Sequence, residues 1–192
     1  MTETQIAELF ERLGRLVAAT KQKTGEGSSW NYTFPDGETH RYVIRGLKSH
    51  AEAEDSAFNL LIWIWNAKDY LKRRADIRGQ NAQIVEDVVN ADPALAVCAD
   101  LANRLKHGEL RCSRSGWYPK FGVMSFTAPQ AALGSLTFGA FEVAVEIADP
   151  SLVEFNLPVI DQSDAEVGNA FEFAARALSA LEQLKARIEE AV

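Results

Sequence analysis

The sequence predicts an α+β fold, mainly α with a β insertion ahead of the last helix. Apolar residues recur at three- and four-residue spacing at both ends and in the middle of the chain. The period falls to two beyond Gly116, and Gly-, Pro- and Ser-rich breaks separate the regimes. The 192 residues, 47% of them hydrophobic, suffice for one core. No linker, repeat or low-complexity tract divides them, so 1–192 reads as a single domain.

The elements follow in order. Thr2 and Gln5 have capping-box spacing, and Ile6, Leu9, Phe10, Leu13, Leu16 and Val17 form one apolar stripe, predicting a helix over 3–22. After the turn-rich Thr24 to Ser29, the alternation Trp30, Tyr32, Phe34 before Pro35-Asp36-Gly37 predicts a hairpin over 30–45. Residues 51–74 lack Gly and Pro and are apolar on more than one face from Phe58 to Trp65, as a central helix would be. A short helix follows over 82–90. Asp92-Pro93 then caps another over 94–107, which Gly108 stops. Alternation through Phe121, Val123, Phe141, Val143, Val145, Ile147, Val153, Phe155 and Val159 predicts an antiparallel β-meander over 117–160, with a bulge at Gly139, a turn at Asp149-Pro150-Ser151 and Pro158 on an edge. Ser163 and Glu166 form a second capping box for a closing helix over 164–190.

The formal charge of −7 argues against bulk electrostatic coating of nucleic acid or an anionic membrane. Residues 68–120 run the other way: ten basic side chains against seven acidic give +3, leaving −10 elsewhere. The apolar run Phe58 to Trp65 is far short of the ~20 residues that span a bilayer, so no membrane partner is expected. Cys98 and Cys112 show neither disulfide-framework nor zinc spacing, and the N-terminus lacks the charge and apolar core of a signal peptide. A reducing, cytoplasmic location is the expectation.

On the helix over 94–107, ~100° per residue places Asp100, Asn103, Arg104 and His107 in one stripe. Leu95, Cys98, Leu101, Ala102 and Leu105 lie opposite, and Lys106 at the border. A carboxylate, an amide, a guanidinium and an imidazole together suit proton transfer or phosphate binding. The same residues also suit an ordinary polar face bonded to a neighbouring loop, with a basic last turn answering the helix dipole.

The segment Asp100-Leu-Ala-Asn-Arg-Leu-Lys-His107-Gly resembles the Asn-x-x-Lys-His pattern of HEPN-like helical proteins. Trp63-Ile-Trp65-Asn-Ala-Lys-Asp69-Tyr-Leu resembles the aromatic, Asp-containing helix that precedes it in such sequences. The resemblance implies a HEPN-like helical bundle carrying the meander, a homodimer, RNA as partner, and a metal-independent endoribonuclease of a toxin or defence system. His107, Asn103 and Asp100 would then form the catalytic set and Arg104 and Lys106 would hold phosphate, without metal or cofactor. The family pairs an arginine with a histidine a few residues later; here the arginine's place falls on Ala102. The alternative is a non-catalytic dimeric interaction or structural module with a degenerate site, meeting a second copy or another protein through the 58–65 helix or the terminal helix.

Other signals are weaker. His40 and His50 with Glu52, Glu54 and Asp55 match no metal motif, and an acidic helix start explains the carboxylates. Trp63 and Trp65 suit core or interface packing better than base stacking. No phosphate loop, nucleophile elbow or paired-carboxylate motif is present.

Overall fold

The computed structural model describes residues 2–190 and shows a mixed α and β architecture. Five helices form its bulk: α1 (Glu3–Lys21), α2 (His50–Ile77), α3 (Gln83–Ala91), α4 (Pro93–His107) and α5 (Ala170–Glu190). Helix α2 lies at the centre and packs on α1, α4 and α5, burying Leu60, Leu61, Ile64 and Leu71. Ile6, Leu9 and Leu13 of α1 and Leu181, Leu184 and Ile188 of α5 complete the core from either side.

The helix ends follow local chemistry. Thr2 and Gln5 close a reciprocal capping box on α1, and Ser49 with Glu52 does the same on α2. The Asp92 side chain accepts from the Leu95 N–H while Pro93 occupies the first turn of α4, and Gly108 ends that helix in the left-handed region at φ 77°. The closing helix departs from expectation. Residues 166–169 form a strand, so α5 begins at Ala170, where the Asn169 side chain accepts from the Phe171 N–H. Ser163 instead bonds Asp161 in the preceding turn.

Among the described residues nine strands accompany the helices: β1 (Ser28–Thr33), β2 (Thr39–Arg45), β3 (Lys120–Phe121), β4 (Ser125–Thr127), β5 (Leu133–Phe138), β6 (Glu142–Ile147), β7 (Glu154–Asn156), β8 (Pro158–Ile160) and β9 (Glu166–Asn169). The hairpin over 30–45 is present as β1 and β2, paired from Ser28 opposite Ile44 to Thr33 opposite Thr39. The continuous meander is replaced by three separate sheets. β5 and β6 form an antiparallel hairpin, and β6 then lies parallel to β2, giving the order β1-β2-β6-β5. β3, β8 and β9 form a second ribbon, and β4 pairs with β7 in a third.

The parallel pairing brings together strands that flank the helices α2, α3 and α4 in sequence, the long crossover that parallel neighbours require. Gly46, at the end of β2, sits at φ 79°, and a β-carbon there would fall 2.5 Å from the Ile147 carbonyl oxygen. Only glycine fits where the two strands finish together.

Three smaller expectations shift with this topology. Gly139 lies in the β5–β6 turn, and the register break falls at Gly134, between Leu133 and Ser135. Asp149-Pro150-Ser151 leads from β6 into β7, which pairs with β4, not with β6. Pro158 lies in the central strand of its ribbon, tolerated because it is the first residue of β8. A small second core of Leu47, Ala132, Ile147 and Val153 closes one end of the four-stranded sheet.

Candidate functional site

Helix α4 is buried on all sides from Ala94 to Ala102, and beyond its first residue, Pro93, only its last turn reaches solvent. The polar stripe is therefore divided along its length. Asp100 is 0% exposed, whereas Lys106 and His107 are exposed and Asn103 and Arg104 lie between.

Asp100 is held by the loop that returns after Gly108. Its Oδ2 accepts from the Ser113 hydroxyl at 2.7 Å, the Ser115 hydroxyl at 2.8 Å and the Ser115 N–H at 3.0 Å. Its Oδ1 accepts from the Arg114 N–H at 2.8 Å. Four donors satisfy one buried carboxylate, the condition under which a charge is tolerated inside a protein. Ser113, Arg114 and Ser115 were not singled out by the sequence reading. The turn-forming Ser113-Arg114-Ser115-Gly116 cluster was the available signal.

Arg104 is turned toward the same loop. Its Nε donates to the Pro119 carbonyl at 2.9 Å and Nη2 to the Tyr118 carbonyl at 3.4 Å, beside a backbone held at φ 50° at Tyr118. Lys106 donates to the Asn66 side-chain oxygen of α2 at 2.7 Å. Lys106 is thus tethered to a neutral amide, and among the described residues it forms no ion pair.

His107 and Asn103, one helical turn apart, open together into a cavity of about 600 Å³ whose other wall is Glu109, Leu110, Arg111 and Cys112. Arg111 Nε is paired with Glu109 at 3.0 Å, and both are strongly exposed. The structure thus brings Asn103 and His107 together, adds Arg111, and leaves Asp100, Arg104 and Lys106 outside the lining of that cavity. Ala102, where the family's arginine would fall, is fully buried.

The basic excess of residues 68–120 is largely consumed by partners. Glu86 of α3 receives Lys72 at 2.9 Å, Arg114 at 3.1 Å and Lys68 at 3.2 Å. Burial pushes the Glu86 carboxyl up, but hydrogen bonds from Lys72 and Lys68, the Lys68 charge and a bond from Arg114 outweigh it and hold the group at about 2. Arg74, itself buried, meets Glu189 of α5 with two bonds of 2.8 and 2.7 Å. Lys120 pairs with Asp164 at 2.6 Å.

Trp63 and Trp65 are half-buried and packed against the main core. Arg12 lies 4.2 Å from the centre of the Trp63 ring, and Lys68 and Arg114 lie 4.3 and 5.0 Å from that of Trp65. These cations cover ring faces that a base would need. His40 approaches Glu38 at 3.5 Å, and His50 lies against Phe126. Among the described residues no three His, Cys, Asp or Glu side chains converge as a metal would require, and no helix is long and apolar enough to cross a membrane. A larger cavity, about 730 Å³, lies between α1, β7 and α5, lined by none of the candidate residues.

Comparison of the chain with protein-family models, with curated proteins and with solved structures finds no match.

Proposed function

We propose that this chain is a HEPN-like, RNA-associated protein of the cytoplasm, with the bundle of α1, α2, α4 and α5 as its HEPN-like part, and that RNA is engaged at the Asn103–His107 cavity. The observation that carries the reading is the exposure of His107 beside Asn103 at the mouth of a cavity walled by a loop fastened to Asp100. A phosphodiester reaching that mouth finds the His107 imidazole, the Asn103 amide and the Arg111 guanidinium beside Glu109. Two free cysteines, Cys98 and Cys112, support the reducing location.

The chemistry open to this set is metal-independent transesterification. His107 accepts the proton of a ribose 2′-hydroxyl as that oxygen attacks the adjacent phosphorus. The bond from phosphorus to the 5′-oxygen breaks, and that oxygen leaves with a proton taken from solvent. Arg111 offsets charge on the phosphoryl oxygens, and Asn103 orients them. Asp100 and Arg104 act through the loop, keeping its 109–112 segment in position.

The burial of Ala102 and the commitment of Arg104 to two carbonyls favour a second reading, a degenerate module that binds a partner without cutting. One comparison separates them. The endoribonuclease cleaves a mixed-sequence RNA panel in the presence of EDTA, leaving 2′,3′-cyclic phosphate ends, and His107→Ala abolishes cleavage while its melting temperature is kept. Absence of both cleavage and salt-sensitive RNA binding in wild type overturns the RNA reading altogether.

A further inference from the structure

The four-stranded sheet has two unlike faces. Strand register places Trp30, Tyr42, Val143 and Phe138 in one row across all four strands, with Tyr32 opposite His40 in the next. Leu136 continues this face past Val145 and Ile44. The reverse face carries Asn31, Arg41 and Glu142 in one row and Arg45, Glu146 and Ser135 in another, with Arg41 and Glu142 at 3.7 Å and buried Val43 and Ala144 in the row that these long side chains flank. Side chains alternate across a strand, so a sheet with one solvated face has charges there and apolar groups on the covered one.

Here the apolar face is covered at one end only. The second core of Leu47, Ala132, Ile147 and Val153 packs under Ile44 and Val145. Toward the turns, nothing among the described residues lies over Trp30, Tyr32, Leu136, Phe138 or Phe141, which stay exposed, Phe138 at 72% and Phe141 at 60%. The rings are already organised: Trp30 stacks on Tyr42 at 5.5 Å and 14°, and His40 meets Phe34 and Phe141 edge-on.

We infer that this aromatic sheet face is the contact between two copies of the chain, packed face to face about a twofold axis. Two arguments select that occupant. The rows of this face hold no Lys, Arg or Asp; beside its tyrosines the polar side chain is His40, next to Glu38 at the rim. Single-stranded nucleic acid needs cations beside its stacking rings, and an anionic membrane needs Lys or Arg, which this face does not offer. An equally uncharged, aromatic surface does match it, and the second copy supplies one. The area also suffices. Aromatic side chains present ~150–250 Å² each, so the exposed parts of the four rings, with Leu136 beside them, amount to several hundred Å², on the order of the ~800 Å² per partner of a stable interface. Two such sheets stack ~10 Å apart with strands ~30° from parallel, as in a β-sandwich.

The contact stands independently of the Asn103–His107 cavity, so either reading can fail alone. The test is sedimentation equilibrium of the full chain at tens of micromolar, for wild type, Phe138→Asp, Phe141→Lys and Val123→Asp, with a melting curve for each. Val123, 89% exposed and outside the sheet, is the control. Wild type and Val123→Asp are to sediment at twice the 21.2 kDa chain mass. Phe138→Asp and Phe141→Lys are to weaken self-association by at least ~100-fold, with melting of the isolated fold retained. A monomeric wild type, or dimers intact in both sheet variants, overturns the inference. So does a wild-type monomer that binds polyuridylate or phosphatidylcholine vesicles through Phe138.

Discussion

Asp100 and Ser115 are joined twice, the buried carboxylate accepting both the Ser115 hydroxyl at 2.8 Å and its backbone N–H at 3.0 Å. Ser113 and the Arg114 N–H complete the set, so a side chain of helix α4 organises a loop more than ten residues farther along. Asp100→Ala strips four donors of their acceptor, and a loss of about 3 kcal/mol of stability is expected. Urea unfolding should show it, and trypsin should cut faster at Arg111 or Arg114 in the native variant. Unchanged stability and unchanged tryptic cleavage would show that these bonds do not hold the loop.

Glu86 gathers Lys68, Lys72 and Arg114, and its carboxyl titrates at about 2, below the ordinary carboxylate range. A depressed folded value contributes stability that is present above the unfolded value of ~4.3 and lost as pH falls toward the folded one. Replacement by Gln leaves three cations facing one another. Glu86→Gln is therefore expected to cost on the order of 2 kcal/mol at pH 7. That deficit should shrink between about pH 4.5 and pH 2 as the wild-type carboxylate is protonated. Urea midpoints at several pH values check this, and a deficit constant down to pH 2 would rule the linkage out.

The two thiols differ by burial. Cys98 lies in the core of α4, where desolvation and the Asp92 charge push its thiol far up, whereas Cys112 lines the Asn103–His107 cavity and is exposed. An aromatic disulfide reagent should titrate one thiol in native protein and two in guanidinium. Prior alkylation of Cys112 should slow any RNA cleavage by crowding the cavity. Rapid reaction of two native thiols would show that α4 is less buried than described.

Much of the fold was legible because it is written in short-range chemistry. The capping pairs Thr2/Gln5 and the Asp92-Pro93 start locate helices by hydrogen bonds within four residues, and Pro35-Asp36-Gly37 locates a hairpin within a turn. The same locality misled beyond Gly116. Alternation along Val143, Val145 and Ile147 says that a strand has one apolar face, but is silent on which strand lies beside it.

The candidate site shows the same division. Spacing correctly placed Asp100, Asn103, Arg104 and His107 on one side of a helix, yet one side of a helix runs from deep interior to open solvent along its length. Which residue of the stripe is buried depends on where the loop after Gly108 returns, and Ser113 and Ser115 reach Asp100 only once that loop has folded back.

By itself, the sequence determined the five helices, the caps of α1 and α4, the first hairpin and the α+β class, because periodicity and capping act between residues a few positions apart. Tertiary structure alone decided that β2 runs beside β6, that Glu86 absorbs three cations, that Asp100 lies inside while His107 lies outside, and that an aromatic sheet face stands uncovered. Each of these depends on contacts between distant parts of the chain, and the free energy of burial that selects them belongs to the packed molecule, not to any local segment.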